Sequence, residues 1–120
     1  MENKAMENNK MENKVKKEYI GVANEQDIKE WKNRYRKVVQ IEIEDDEAVY
    51  VAYLHTPDMK TMRAAMDITK KDETAGTEML IKNCWIDGAR VMLEDGLLYI
   101  QLATQVQNMF GSAVGRLKNL

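Results

Sequence analysis

Between residues 39 and 44 every odd position is valine or isoleucine, and every even position is glutamine or glutamate. This period of two is typical of a strand with one buried face. An acidic turn follows at residues 45–47. Residues 48–55 then form a second run, which is apolar at both odd and even positions. The two runs predict a β-hairpin whose second strand is covered on both faces.

A helical period precedes the hairpin. Asn24 is a candidate N-cap, and Ile28, Trp31 and Tyr35 follow at a spacing that places them on one side of a helix. Lysines and arginines fill the opposite side between residues 29 and 37. This basic face is interpreted as solvated surface or, alternatively, as a docking patch for an acidic partner.

A second helical period follows the hairpin. Thr56 is predicted to cap this helix, with Pro57 at its first position. Met59, Met62 and Met66 then lie at i, i+3 and i+7. Methionine stripes at this spacing form either part of a core or an adaptable binding surface, because the unbranched thioether side chain packs against many shapes.

Two further helices complete the pattern. One is predicted from residue 72 or 73 to Asn83, and the other is capped by Asp95. The last helix carries Leu98, Leu102, Val106 and Met109 along one stripe. Because a hairpin needs packing partners to be stable, the sequence predicts an α+β fold. In this fold an N-terminal helix and a β-hairpin pack with three or four α-helices.

The first twenty residues have a different pattern. Met-Glu-Asn recurs there at residues 1, 6 and 11, followed by Lys or by Asn-Lys, and this interval of five residues matches neither a helical nor a strand period. Residues 1–20 are therefore expected to be a low-complexity leader, disordered or frayed, with a solvated helix as the alternative. Residues 21–120 are expected to form one α+β domain.

Composition restricts the functional classes. The chain has 120 residues, 44% of them hydrophobic, with a formal net charge of -2 and one cysteine. These values suit one modest core and give no general attraction to nucleic acid or to membranes. The sequence contains no apolar run long enough for a membrane span, and its single cysteine cannot form an internal disulfide. A cytoplasmic location is expected.

Candidate chemistry is sparse. His55 is the only histidine, so one chain cannot build a histidine-based triad or a multi-histidine metal site. Cys84 follows an apolar helix and is interpreted as a buried hydrophobe. The five acidic residues between Glu42 and Glu47 lack the spacing and the glycine of a calcium loop, so they are interpreted as a plain turn. The sequence predicts no enzyme, no cofactor and no metal.

The order of segments from residue 28 to residue 120 resembles the small tail assembly chaperones of long-tailed bacteriophages and prophages. The resemblance rests on Tyr-Leu-His-Thr-Pro-Asp-Met-Lys-Thr-Met at residues 53–62 and on Leu-Ile-Lys-Asn-Cys-Trp-Ile-Asp-Gly at residues 80–88. Asp-Gly-Leu-Leu-Tyr at residues 95–99 and the closing Leu-Lys-Asn-Leu at residues 117–120 complete it. It implies a protein that binds and covers the tape-measure protein in the host cytoplasm before the tail tube assembles.

Such a partner would require an apolar surface. The first candidate set is Met59, Met62 and Met66, and the second is Leu98, Leu102 and Met109; core packing is the alternative for both. Two other functions stay open at this point. One is a structural virion protein, such as a head–tail connector or minor capsid component, which would form a homo-oligomer. The other is nucleic-acid binding through the basic helix. The neighbouring acidic hairpin argues against this function, because its carboxylates would repel phosphates.

Overall fold

The computed structural model describes residues 17–109 and 113–120. In these ranges the elements follow in the order β1 (Glu18–Ile20), α1 (Glu25–Arg34), β2 (Val38–Glu44), β3 (Ala48–His55), α2 (Met59–Lys71), α3 (Glu73–Cys84), β4 (Trp85–Gly88), α4 (Val91–Glu94) and α5 (Gly96–Met109). The predicted α+β fold is confirmed.

The sheet is built around β3. The predicted hairpin is confirmed, because β2 pairs antiparallel with β3 along its whole length, from Val38 opposite His55 to Glu44 opposite Val49. The other edge of β3 is shared by two short strands. β1 pairs with it in parallel, and β4 pairs with it antiparallel.

Neither short strand was predicted from the sequence. Because Glu18–Ile20 pair with β3, the folded domain extends to the N-terminal side of the expected boundary at residue 21. The rest of the expected leader, residues 1–16, lies outside the described residues. Trp85–Gly88, which follow the helix predicted to end at Asn83, form β4.

Two glycines make the shared edge possible. Gly21 follows β1 with a φ of 92°, and Gly88 ends β4 with a φ of 147°. A Cβ atom at Gly21 would lie 2.7 Å from the carbonyl oxygen of Val51, and one at Gly88 would lie 2.6 Å from the same oxygen. Any larger residue at either position would therefore push a short strand away from β3.

Helix α1 lies over one face of the sheet. Asn24 caps it as predicted, since its side-chain oxygen accepts a hydrogen bond from the backbone N–H of Asp27 at 2.8 Å. The predicted apolar stripe of the helix is half-buried. Its Trp31 ring packs on the ring of Tyr53, with centroids 5.3 Å apart.

The other helices cover the opposite face of the sheet. α2 packs on α3, and α3 contacts both α5 and β3. The cap of α2 differs from the prediction. Asp58, not Thr56, accepts the backbone hydrogen bond of Thr61, because Thr56 still donates its own N–H to Lys37 and extends the hairpin. Asp72 ends α2 and caps α3.

The main core lies between this helical layer and the sheet. Its fully or nearly buried members include Ile41, Ile43, Tyr50, Ala52, Leu54, Ala65, Leu80, Ile81, Cys84, Met92, Leu98, Leu102 and Val106. On the α1 side of the sheet, Val49, Val51 and Tyr53 are also buried. The prediction that β3 is covered on both faces is confirmed.

Candidate protein-binding groove

The first predicted set of partner-binding residues lies on α2 but does not form one uniform surface. Met59, at the start of the helix, is 68% exposed, and Met66 is 55% exposed. Met62 is half-buried and packs against the core. Met62 therefore belongs in part to the core, whereas Met59 and Met66 remain accessible on the outer side of the helix.

The second predicted set does not form a surface in this fold. Leu98 and Leu102 are buried in the core, and Leu102 has no exposed area. The stripe of α5 faces the sheet because it supplies the apolar wall that covers Ile41 and its neighbours. Met109 is half-buried and lines a separate groove beside β2. Leu98 and Leu102 are therefore core residues, which corrects the expectation that they contact a partner.

Two adjoining depressions lie on the outer side of the helical layer. The first, about 360 Å³, is lined by Met62, Ala65 and Met66 of α2 and by residues of α3 and α5. The second, about 280 Å³, lies between α3 and α5 and is lined by Tyr99, Ile100 and Ala103. Both are bordered by Glu73, Thr77 and Gln107. We refer to the two together as the α2–α3–α5 groove.

The polar groups in the floor of the groove already have partners. The Thr77 hydroxyl donates to the carbonyl oxygen of Glu73 at 3.4 Å and accepts a hydrogen bond from the Gln107 side-chain amide at 3.2 Å. A ligand entering the groove therefore does not have to satisfy a buried polar atom there. The groove exposes to solvent the thioether of Met66 and the aliphatic side chain of Ile100, which is 59% exposed.

The residues on the α5 side of the groove were not predicted. Ile100 and Ala103 fall outside the stripe that runs through Leu98 and Leu102. The available signal was that Leu97 and Ile100, spaced i and i+3, are apolar but lie off that stripe. A helix with one apolar stripe needed for the core and further apolar residues beside it has apolar area left for another contact.

The side chains that could carry chemistry are buried, as for Cys84, or take part in structural hydrogen bonds, as for Asp45. Cys84 is buried, and burial raises the pKa of its thiol to about 11, which disfavours the nucleophilic thiolate. The carboxylate of Asp45 accepts hydrogen bonds from the backbone N–H groups of Glu47 and Ala48, so it closes the hairpin turn. Across residues 17–109 and 113–120, no three His, Cys, Asp or Glu side chains are grouped closely enough to hold a metal ion.

Among the described residues, no helix combines the length and the apolar character needed to cross a membrane. In comparisons with known proteins, no protein-family model, no curated protein and no solved structure matches the chain.

Proposed function

We propose that this chain is a non-catalytic bacteriophage protein of the tail-assembly-chaperone kind, which binds the tape-measure protein in the host cytoplasm. The observation that carries the proposal is the α2–α3–α5 groove, which exposes Met66 and Ile100 among polar side chains such as Glu73 and Thr104 and whose floor hydroxyl, Thr77, already has hydrogen-bond partners. The resemblance of residues 28–120 to such chaperones supplies the identity of the partner.

The chemistry of the groove suits an amphipathic helix. Such helices bind grooves through apolar side chains spaced three or four residues apart, and two adjoining depressions offer places for two of them. Met62 and Met66 line one depression, and Ile100 lines the other. Methionine adapts to anchors of different shape, which suits a protein that must cover successive segments of one long partner.

The proposal is tested by co-expressing the chain with the tape-measure protein of the same phage and measuring the soluble fraction of that partner. Wild-type chain is expected to raise this fraction. Met66→Glu and Ile100→Glu place a charge on each wall of the groove and are expected to remove most of the effect, because a buried charge opposes apolar contact. Met59→Glu is the matched control, since Met59 is equally apolar and more exposed but does not line the groove.

A tape-measure protein that stays insoluble beside the wild-type chain would contradict the proposal. If Met59→Glu and Met66→Glu lowered the soluble fraction of the tape-measure protein equally, with thermal unfolding unchanged, binding would instead be assigned to the whole outer stripe of α2. Mass spectrometry of purified phage particles separates a chaperone from a structural virion protein. A chaperone is expected to be absent from mature particles, whereas a connector or minor capsid protein would be present in fixed stoichiometry.

A further inference from the structure

The outer edge of β2 carries unpaired backbone groups. In the part of the chain that the structure describes, β2 pairs with β3 alone. Thr56 donates its N–H to Lys37, and Asp45 donates its N–H to Ala48, so the odd-numbered residues of β2 bond to β3. Because hydrogen-bonded and non-bonded pairs alternate in antiparallel sheets, the N–H and C=O groups of Val38, Gln40, Glu42 and Glu44 point outward.

This edge borders a groove with an apolar part. Val39 and Ile41 of β2 and Met109 at the end of α5 form the apolar part of a depression of about 290 Å³ beside the strand, whose rim also carries Lys37, Gln40, Glu42, Gln105 and Asn108. A chain that paired with the edge would therefore find backbone partners and, on the helix side, a place for an apolar side chain. An exposed edge of this kind is a template for strand addition.

The edge is also acidic. Glu44 already binds a cation, since the Lys17 ammonium lies 2.6 Å from its carboxylate. Glu42, two residues away on the same face, accepts a hydrogen bond from Gln40 at 2.7 Å. Within the described residues no lysine or arginine is close enough to form an ion pair with Glu42. One anion of the edge is thus available to a second cation.

Residues 113–120 have the complementary pattern. They form neither helix nor strand, and Leu117 is 89% exposed. Their charged side chains are Arg116 and Lys118, which in an extended conformation point to one face, with Leu117 pointing to the other. The eight residues, extended, span about 26 Å, close to the about 23 Å of the seven-residue β2.

We propose that residues 113–120 of a second copy of this chain pair with β2 as an added strand. Arg116 or Lys118 then lies over Glu42, because the two cations of the segment and Glu42 are on the same face of the extended sheet. Leu117 lies on the opposite face, beside the groove formed by Val39, Ile41 and Met109. The partner is a second copy because in the single chain these residues are exposed, and an exchange of segments buries them in both copies.

The test measures self-association of the full-length chain by sedimentation velocity over a range of concentrations. Wild-type chain is expected to form dimers or larger species at about 100 µM. Arg116→Glu with Lys118→Glu is expected to weaken association about tenfold or more, and Glu42→Lys is expected to act similarly. Combining Glu42→Lys with the two segment substitutions is expected to restore part of the association, because the charges are exchanged between the surfaces.

Two controls make the result specific. Lys60→Glu with Arg63→Glu changes the net charge by the same amount on the exposed side of α2 and is expected to leave association unchanged. Gln40→Pro removes an outward N–H without removing a bond to β3, so the domain is expected to fold and to lose association. A wild-type chain that remains monomeric, or segment variants that associate as well as wild type, would overturn the proposal.

Discussion

The rings of Tyr35 and His55 stack face to face, with centroids 4.2 Å apart and planes inclined by only 5°. Tyr35 directly follows α1, and His55 is the last residue of β3. Nδ1 of His55 lies 2.9 Å from the carbonyl oxygen of Thr56, which can only accept, so Nδ1 carries the proton. Because of these positions in the chain, the stacked rings connect the C-terminal end of α1 to the C-terminal end of β3.

A double-mutant cycle measures this connection. Tyr35→Ala and His55→Ala are expected to show a coupling energy of about 0.5–1.5 kcal/mol in urea unfolding, the range for aromatic pairs beyond their buried area. Tyr19→Ala with His55→Ala is the control cycle, because Tyr19 is exposed and pairs with Val49 near the opposite end of β3. Additive effects in the Tyr35 cycle would show that the stack contributes nothing to stability.

The glycine at the end of β1 is expected to be intolerant of a side chain. Gly21→Ala adds a Cβ 2.7 Å from the carbonyl oxygen of Val51 at a φ of 92°, and we expect a loss of at least about 1–3 kcal/mol in the free energy of unfolding. Gly96→Ala is the matched substitution, since a Cβ there meets nothing within 4 Å. Gly96 begins α5, and its replacement by alanine is expected to leave the free energy of unfolding unchanged or to raise it slightly. Similar unfolding curves for the two variants would contradict this account of the shared edge.

Two leucines of α5 are expected to differ in their effect on stability. Leu102 has no exposed area, so Leu102→Ala is expected to cost about 2–5 kcal/mol through lost burial and the cavity left behind. Leu97 is 79% exposed, and Leu97→Ala is expected to change stability by less than about 0.5 kcal/mol. Chemical unfolding of both variants measures the two changes in the free energy of unfolding. A small effect of Leu102→Ala would return this residue to the set of candidate partner contacts.

Acid is expected to weaken the hairpin turn through Asp45. Hydrogen bonds from the backbone N–H of Ala48 and then of Glu47 hold the pKa of this carboxyl below its ordinary value of 3.8. Because the folded pKa is lower than the unfolded one, the carboxylate stabilises the fold fully above the unfolded value. This contribution is lost as the pH falls from there through the folded pKa.

The variant Asp45→Asn tests this dependence of stability on pH. The difference in melting temperature between wild type and Asp45→Asn is expected to be constant near neutrality and to shrink as the pH falls below about 4. Asp46→Asn is the control, because Asp46 lies in the same turn, is exposed and accepts no such backbone hydrogen bond. A difference between wild type and Asp45→Asn that persists unchanged in acid would contradict the role of the ionised carboxylate.

Local signals in the sequence were sufficient for the hairpin and for most helices. The alternation at residues 39–44 predicted β2, and the Asn24 side chain caps α1 where the sequence indicated. The cap of α2 was displaced from Thr56 to Asp58 because the hairpin continues one residue further by a hydrogen bond to Lys37. That bond joins residues nearly twenty positions apart, so local capping preference could not reveal it.

The short strands and the candidate groove depend on contacts between distant parts of the chain. β1 and β4 are too short to show a periodic pattern, and they exist because both find room along one edge of β3. The stripe through Leu98 and Leu102 has the same spacing whether it faces a core or a partner. Its orientation follows from where α5 packs on the sheet, and this packing also brings Ile100 to a depression that shares Thr77 with the one lined by Met66.

The apolar character of both faces of β3 has a consequence for how the sheet avoids misalignment. If β3 turned over by a one-residue slip, Val49, Val51 and Tyr53 would replace Tyr50, Ala52 and Leu54 toward the helices, and polarity alone would not penalise the error. The penalty comes from its neighbours. A slip of β2 would bury its glutamates, and a slip of β3 would separate the Val51 carbonyl from the two glycines that fit against it. The alignment of β3 is therefore fixed by the backbone contacts and by the needs of the neighbouring strands, not by the polarity of its own side chains.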